Sequence, residues 1–391
     1  MAAFSRLGYV LMLSAAAWGL PVRRNNLNSD QIPFDVQGHR GGRGETVEST
    51  LPSFAWGLID GVTTLELDNG ITKDGAVIVW HDENIVGTKC RDTSPAFEDD
   101  PDFPYVGKFV ANLTLDQIKT LDCGSDRQLD FRVSTSSYLL STRNLTRSWF
   151  LALQVTYPGT KISTLEELFD FVECVDSEHT VEFNIESKVN PEQTNQTRAP
   201  EDFVQLQHEL FAQSAYYDKI TYQSFDWRTL VGMKALDPSI KLAALADPTT
   251  LVGPNNTTSA WLAGIALDPT SDVSLGIQLT DAAKQIDADI LSTADIANST
   301  APDPTQPGYI PFTTKEMIDR AHELGMQVKP WTVDRMSVAE QLLDWGVDGI
   351  ITDFPSHLRR IVQKRGSSVA RQFKEKKVMA CLDKHIQIAS M

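Results

Sequence analysis

The chain has 391 residues, more than the usual ~100–200 of a single domain, although one α/β barrel with insertions fills this length. Its 41% hydrophobic and 22% charged residues supply a sizeable core and exclude global disorder. A net charge of −17 argues against nonspecific affinity for nucleic acid or an anionic membrane, but not against an anionic small substrate, because a bound cation reverses the field locally.

Taken in chain order, residues 1–20 read as a secretory signal peptide: Arg6, a short apolar run from Leu7 to Leu13, then small residues from Ser14. That run is too short for the ~20 residues of a membrane span. Phe34 to His39 reads as a strand, Thr50 to Ile59 as a helix, and Thr63 to Asn69 as a strand with Thr64, Glu66 and Asp68 on one face and Leu65 and Leu67 on the other. Ala76 to His81 is a further strand after the Asp74-Gly75 turn. From about 83 to 161 the periodicity dissolves, which marks an insertion, a candidate lid stapled by cysteines and without a core of its own. Beyond it, the helix Leu165 to Cys174 starts on a capping arrangement. Strands over His179–Lys188, Lys219–Phe225, Lys241–Ala246, Ala288–Thr293, Gln327–Val333 and Gly349–Phe354 then alternate with helical stretches at Asp202–Gln213, Trp227–Ala235, Thr314–Leu324 and Ser337–Trp345. The expected architecture is a (β/α)8 TIM barrel over residues 33–360, with a basic C-terminal tail over 361–391.

Six Asn-x-Ser/Thr sequons, at Asn112, Asn144, Asn195, Asn255, Asn256 and Asn298, agree with export as a glycoprotein. Of the four cysteines, Cys90 and Cys123 share the insertion and are the expected pair, Cys174 reads as a buried free thiol within a helix, and Cys381 has no evident role.

Barrel chemistry sits at the C-terminal ends of strands. That rule selects His39 and Arg40 after the first strand, Glu66 and Asp68 on the second, His81 after the extra strand, and Glu186 and Lys188 on the third. Three carboxylates ~5 Å apart would repel by roughly 10 kcal/mol in all at an effective dielectric of ~20. A hard divalent cation, Ca²⁺ or Mg²⁺, neutralises them most naturally, and no histidine pair has zinc-ligand spacing. Two histidines beside such a cation suit acid–base work, and Arg40 and Lys188 suit phosphate oxygens. Glu48 alone reads equally as a first-turn helix acid. His179, His208, His322, His357 and His385 carry no such context.

These residues form a pattern: His39-Arg40-Gly41, Glu48-Ser49-Thr50, Glu66-Leu67-Asp68, Thr72-Lys73-Asp74-Gly75 and His81-Asp82, followed by Asn184-Ile185-Glu186-Ser187-Lys188, Gln223-Ser224-Phe225-Asp226, Lys329-Pro330-Trp331-Thr332 and Gly346 to Pro355. The pattern resembles that of the glycerophosphodiester phosphodiesterase family, with Ser49 where that family has Asn. The resemblance implies that His39 and His81 are the acid–base pair, that Glu66, Asp68 and Glu186 bind the cation, and that Arg40 and Lys188 contact phosphate. It also places Glu48 in the inner shell of the site and Trp331 as an apolar wall over the glycerol. The expected activity is hydrolysis of small glycerophosphodiesters to glycerol 3-phosphate and an alcohol by a secreted, cation-dependent enzyme with neither nucleic-acid partner nor stable membrane span. The alternatives are a lysophospholipase D-like or cyclising enzyme on lipid phosphodiesters, a glycosidase, which would leave both histidines idle, and an inert cell-wall binding protein.

Overall fold

The computed structural model describes residues 32–128 and 154–386. The expected leader, the sequon at Asn144 and the middle of the insertion lie outside them. Among the described residues, eight parallel strands form a nearly closed barrel in the order β8-β7-β6-β5-β4-β2-β1-β9. They are β1 Asp35–Gly38, β2 Thr64–Ile71, β4 Glu182–Ser187, β5 Ile220–Ser224, β6 Lys241–Ala246, β7 Ile290–Thr293, β8 Gln327–Val328 and β9 Gly349–Thr352. β3, Val77–Val79, pairs antiparallel with the end of β2. Asp348 N to Val328 O at 3.0 Å and Ile351 N to Pro330 O at 2.9 Å carry the last strand back to β8. The eighth strand is shorter than expected because Pro330 has no N–H to continue the ladder.

Alternation along β2 decides what the barrel holds. Leu65 and Leu67 are fully buried in the layer beneath the helices, each worth about 1.5–3 kcal/mol of burial, and this sends Glu66 and Asp68 inward. The parallel register then sets Asp68 beside Glu186 and Glu66 beside Asn184.

The surrounding helices are α1 Leu51–Asp60, the short α2 Leu115–Ile118, α3 Leu165–Val175, α4 Pro200–Gln213, α5 Trp227–Leu236, α6 Leu275–Gln285, α7 Lys315–Glu323, α8 Met336–Trp345 and α9 Pro355–Lys364. Thr164 and Glu167 form the capping box that starts α3. The helix α6 was not anticipated, because Gly276, Thr280 and Gln285 dilute its apolar stripe.

Two expectations need correction. The insertion does have a core: Ile85, Tyr105, Val110, Leu113, Ile118 and Leu121 pack with the Cys90–Cys123 disulfide against Ile78 and Trp80 of the barrel. The basic C-terminal tail, residues 361–391, contains a helix. Glu375–His385 forms α10, which buries Val378, Cys381 and Leu382 and packs on α1 and α3. Cys174 is not a free thiol, since it is bonded to Cys381 of α10, and the Cys90–Cys123 pairing is as expected.

Candidate active site

The loop after β1 makes the first contribution. His39 to Gly42 turns sharply, with Arg40, Gly41 and Gly42 all at positive φ. Gly41 permits this, since a Cβ there would stand 2.7 Å from the backbone of Ser53 and Phe54. The turn aims the Arg40 N–H at Glu66 Oε2, 2.9 Å away, and brings the Arg40 guanidinium to Glu48 Oε1 at 2.8 Å. Arg40 Nε also lies 3.2 Å from Asp68 Oδ2. Ser49 has φ 57, a left-handed conformation that Asn tolerates better than Ser.

Glu66, Asp68 and Glu186 are all buried and present oxygens within 4.8 Å of one another. Glu66 Oε1 accepts from Gln223 Nε2 at 2.8 Å, and Lys188 Nζ sits 2.9 Å from Glu186 Oε1 and 3.8 Å from Asp68 Oδ1. Burial and the neighbouring carboxylates push Glu66 well up, and burial pushes Glu186 up to about 8. Asp68 goes the opposite way: despite its burial, His81, Arg40 and Lys188 hold it low. Asp68 Oδ2 accepts no hydrogen bond, leaving an unsatisfied buried oxygen in an all-carboxylate donor set, which fits a hard divalent cation.

Below these carboxylates the barrel is polar rather than apolar. Lys329 Nζ meets Asp35 Oδ2 at 2.8 Å, Gln37 Nε2 donates to Asp35 Oδ2 at 2.6 Å, and Asn184 Nδ2 donates to Gln37 Oε1 at 2.8 Å and to Gln223 Oε1 at 3.1 Å. Through Gln223 this chain of hydrogen bonds reaches Glu66 and fixes its orientation.

The histidines flank the cluster, and both act on the Asp68 charge. Nδ1 of His39 is 2.6 Å from Asp353 Oδ1, and Nδ1 of His81 is 3.0 Å from Asp82 Oδ1. Burial lowers His39 and lowers His81 further, assisted by Arg40 and Lys188 for the latter. Both imidazoles are therefore neutral near pH 7, with Nδ1 donating to a carboxylate and Nε2 free to accept a proton.

Glu48 lies ahead of the α1 cap at Thr50, not in the first helical turn. Arg40, Arg43 and Lys89 surround its carboxylate at 2.8, 3.0 and 2.7 Å and, against the effect of burial, hold it ionised. Trp331 donates from Nε1 to Ser292 O at 3.0 Å and meets the Phe225 ring edge-on at 5.2 Å, forming an apolar wall next to Lys188, whose Nζ is 5.7 Å from the Phe225 centroid.

Sequence reasoning gave no role to Arg43, Asp82, Lys89, Gln223 or Asp353. Gln223 and Asp353 stand at C-terminal strand ends, the same signal that selected Glu66 and Glu186, whereas Arg43 and Lys89 are loop residues without one. His208 and His322 pair with Asp237 and Asp348, away from this cluster.

The profile of the glycerophosphoryl diester phosphodiesterase family matches residues 39–357, most of the chain. The chain belongs to this family. It is a phosphoric diester hydrolase. The glycerophosphodiester phosphodiesterase of Caldanaerobacter subterraneus subsp. tengcongensis is 23% identical over 85% of this chain and 98% of its own length. Human lysophospholipase D GDPD1 is 41% identical over 107 residues, 27% of this chain and 33% of that protein. Among solved structures, a glycerophosphoryl diester phosphodiesterase from Silicibacter pomeroyi shares the fold with a TM-score of 0.63 at 24% identity, covering 86% of this chain and 96% of that one. An Oleispira antarctica phosphodiesterase in complex with sn-glycerol-3-phosphate does so with a TM-score of 0.54 at 18% identity, over 85% and 97% of the two chains.

Proposed function

We propose that this family member is a secreted, divalent-cation-dependent enzyme that hydrolyses small glycerophosphodiesters to glycerol 3-phosphate and an alcohol. The observation carrying this reading is that two carboxylate-oriented neutral histidines flank a buried carboxylate triad with Arg40 and Lys188 at its rim. Glu66, Asp68 and Glu186 would hold the cation, Ca²⁺ or Mg²⁺. When bound, it supplies positive charge that polarises a phosphoryl oxygen.

The chain's own groups do the remaining work. Arg40 and Lys188 draw the phosphate in and neutralise its charge. The free Nε2 of one histidine takes a proton from the attacking water as its oxygen bonds to phosphorus. The ester bond from phosphorus to the alcohol oxygen breaks, and that oxygen takes a proton from the second histidine, which has gained one from solvent. The first histidine then returns its proton to solvent, so that water adds across the P–O bond with no net change in the protein. Trp331 and Phe225 cover apolar carbons of the substrate and keep water off that side.

Export is supported by the Arg6–Ala17 leader pattern, by two disulfides and by the exposure of all the described sequon asparagines, Asn112, Asn195, Asn255, Asn256 and Asn298. Among the described residues no helix is long and apolar enough to cross a membrane.

The test is product analysis on glycerophosphocholine, glycerophosphoethanolamine and glycerophosphoinositol beside lysophosphatidylcholine, under chelator and then with Ca²⁺ or Mg²⁺ restored. The expected result is metal-restored release of glycerol 3-phosphate from the deacylated substrates, abolished by His39→Ala or His81→Ala. Full activity in either variant would reject the assignment, and a preference for lysophosphatidylcholine would move it to a lipid substrate.

A further inference from the structure

The insertion after β3 sends one side chain into the site. Lys89 Nζ lies 2.7 Å from Glu48 Oε1 and also donates to Asp82 Oδ2. Its ammonium is 5.5 Å from the centroid of the Trp80 ring. Trp80 and Asp82 are the two neighbours of His81, so Lys89 grips the backbone segment that presents this histidine from both sides. The other oxygen of Asp82 meets His81 Nδ1. Lys89 itself is held in the turn that begins at Val86, with Lys89 N and Cys90 N donating to Val86 O at 3.0 and 2.9 Å, and the next residue, Cys90, is buried and bonded to Cys123.

We propose that Lys89 is a positioning residue of the hydrolytic site: its ammonium holds Asp82 against His81 and ties that arm to the Glu48–Arg40 arm, so that the disulfide-clamped insertion sets the orientation of the His81 imidazole. The inference rests on the reading of His81 as a proton-transfer group.

The charge arrangement supplies the physical reason. Glu48 also pairs with Arg40 and Arg43, so it stays neutralised when the Lys89 ammonium is removed. Asp82, the more exposed of the two at 22% against 4%, loses the cation that holds it and turns to water. His81 Nδ1 then loses its acceptor, and nothing fixes which ring nitrogen carries the proton. A merely structural Lys89 would anchor the insertion to the barrel. The insertion is already anchored by its Tyr105-centred core on Ile78 and Trp80 and by Lys73 N donating to Leu113 O at 2.8 Å, and both polar partners of Lys89 Nζ are carboxylates of the site.

The experiment combines kinetics on glycerophosphocholine with nitrogen-15 spectra of the histidine side chains in the metal-free protein. The wild-type spectrum should show His81 protonated at Nδ1. Lys89→Met should lose that tautomer and lower kcat about 10–100-fold with KM changed less than about threefold, and Lys89→Arg should recover most of kcat. Should Lys89→Met fail to fold, Asp82→Asn with Lys89 intact should give the same tautomer loss and the same selective fall in kcat. A wild-type His81 protonated at Nε2, a Lys89→Met variant with unchanged tautomer, or a variant in which KM rises and kcat stays constant would each overturn the proposal. Absence of glycerophosphodiester hydrolysis in the wild type would instead reject the functional reading, while the spectra still decide the positioning role.

Discussion

Nδ1 of His39 and Oδ1 of Asp353 stand 2.6 Å apart although 314 positions separate them in the chain. The contact joins the end of the first barrel strand to the end of the last. Arg43 Nε shares the same Asp353 oxygen at 2.9 Å, so the aspartate stays ionised and His39 must donate to it. Replacing the acceptor, Asp353→Asn, keeps the shape but lets the ring take the other tautomer. The expected outcome is a fall in kcat of about 10²–10⁴-fold with little change in KM, checked by steady-state kinetics.

The carboxylate triad predicts how the metal-free protein responds to pH. Glu186 is held up to about 8 in the folded state against 4.5 for the free group. The folded chain therefore binds a proton that the unfolded chain does not, and stability from this group is present below the unfolded value and lost as pH rises toward 8. His39 and His81 are lowered from 6.5 and act below that pH, so the clean window is 6.5 to 8. Asp60 and Asp295, both raised to about 7, contribute with the same sign. Melting curves in chelator should show Tm falling across this window in the wild type and falling less in Glu186→Gln.

Cation addition should reverse that loss. A ligand at a hundred times its Kd stabilises the folded state by about 2.7 kcal/mol, and binding to the deprotonated triad releases protons, so the rise in Tm on adding Ca²⁺ or Mg²⁺ should grow from pH 6.5 to 8. Asp68→Asn and Glu66→Gln should abolish the rise, which calorimetry in the presence and absence of metal would detect.

Gly41→Ala should unfold the site locally. Gly41 has φ +90, and its added methyl would meet Phe54 N and Ser53 Oγ at 2.7 Å. Strain and clash together cost on the order of 2 kcal/mol or more, and the displaced turn withdraws the Arg40 N–H from Glu66. Urea titration should report the lost stability, and kcat should fall with it.

The Cys174–Cys381 bond closes a separation of 207 residues on the helix side of the barrel. The double change Cys174→Ser with Cys381→Ser should lower stability by about 2–4 kcal/mol while leaving kcat nearly unchanged, since the buried carboxylate cluster lies elsewhere. Denaturant curves and kinetics on the same preparation distinguish these effects.

The sequence by itself determined the strand and helix alternation and the inward face of β2, because both are written in local spacing: Leu65 and Leu67 at period two force Glu66 and Asp68 the other way. It also carried the family pattern, and with it the histidines, the triad, Arg40 and Lys188. Only the tertiary structure decided which carboxylate orients His39, which amide holds Glu66, that Lys89 reaches Glu48 and Asp82 from the insertion, and that α10 claims Cys174. Apart from Lys89 with Asp82, seven positions away, those contacts join segments far apart in the chain. Barrel closure and strand register set them, and no local periodicity encodes which side chains a closed barrel will bring together.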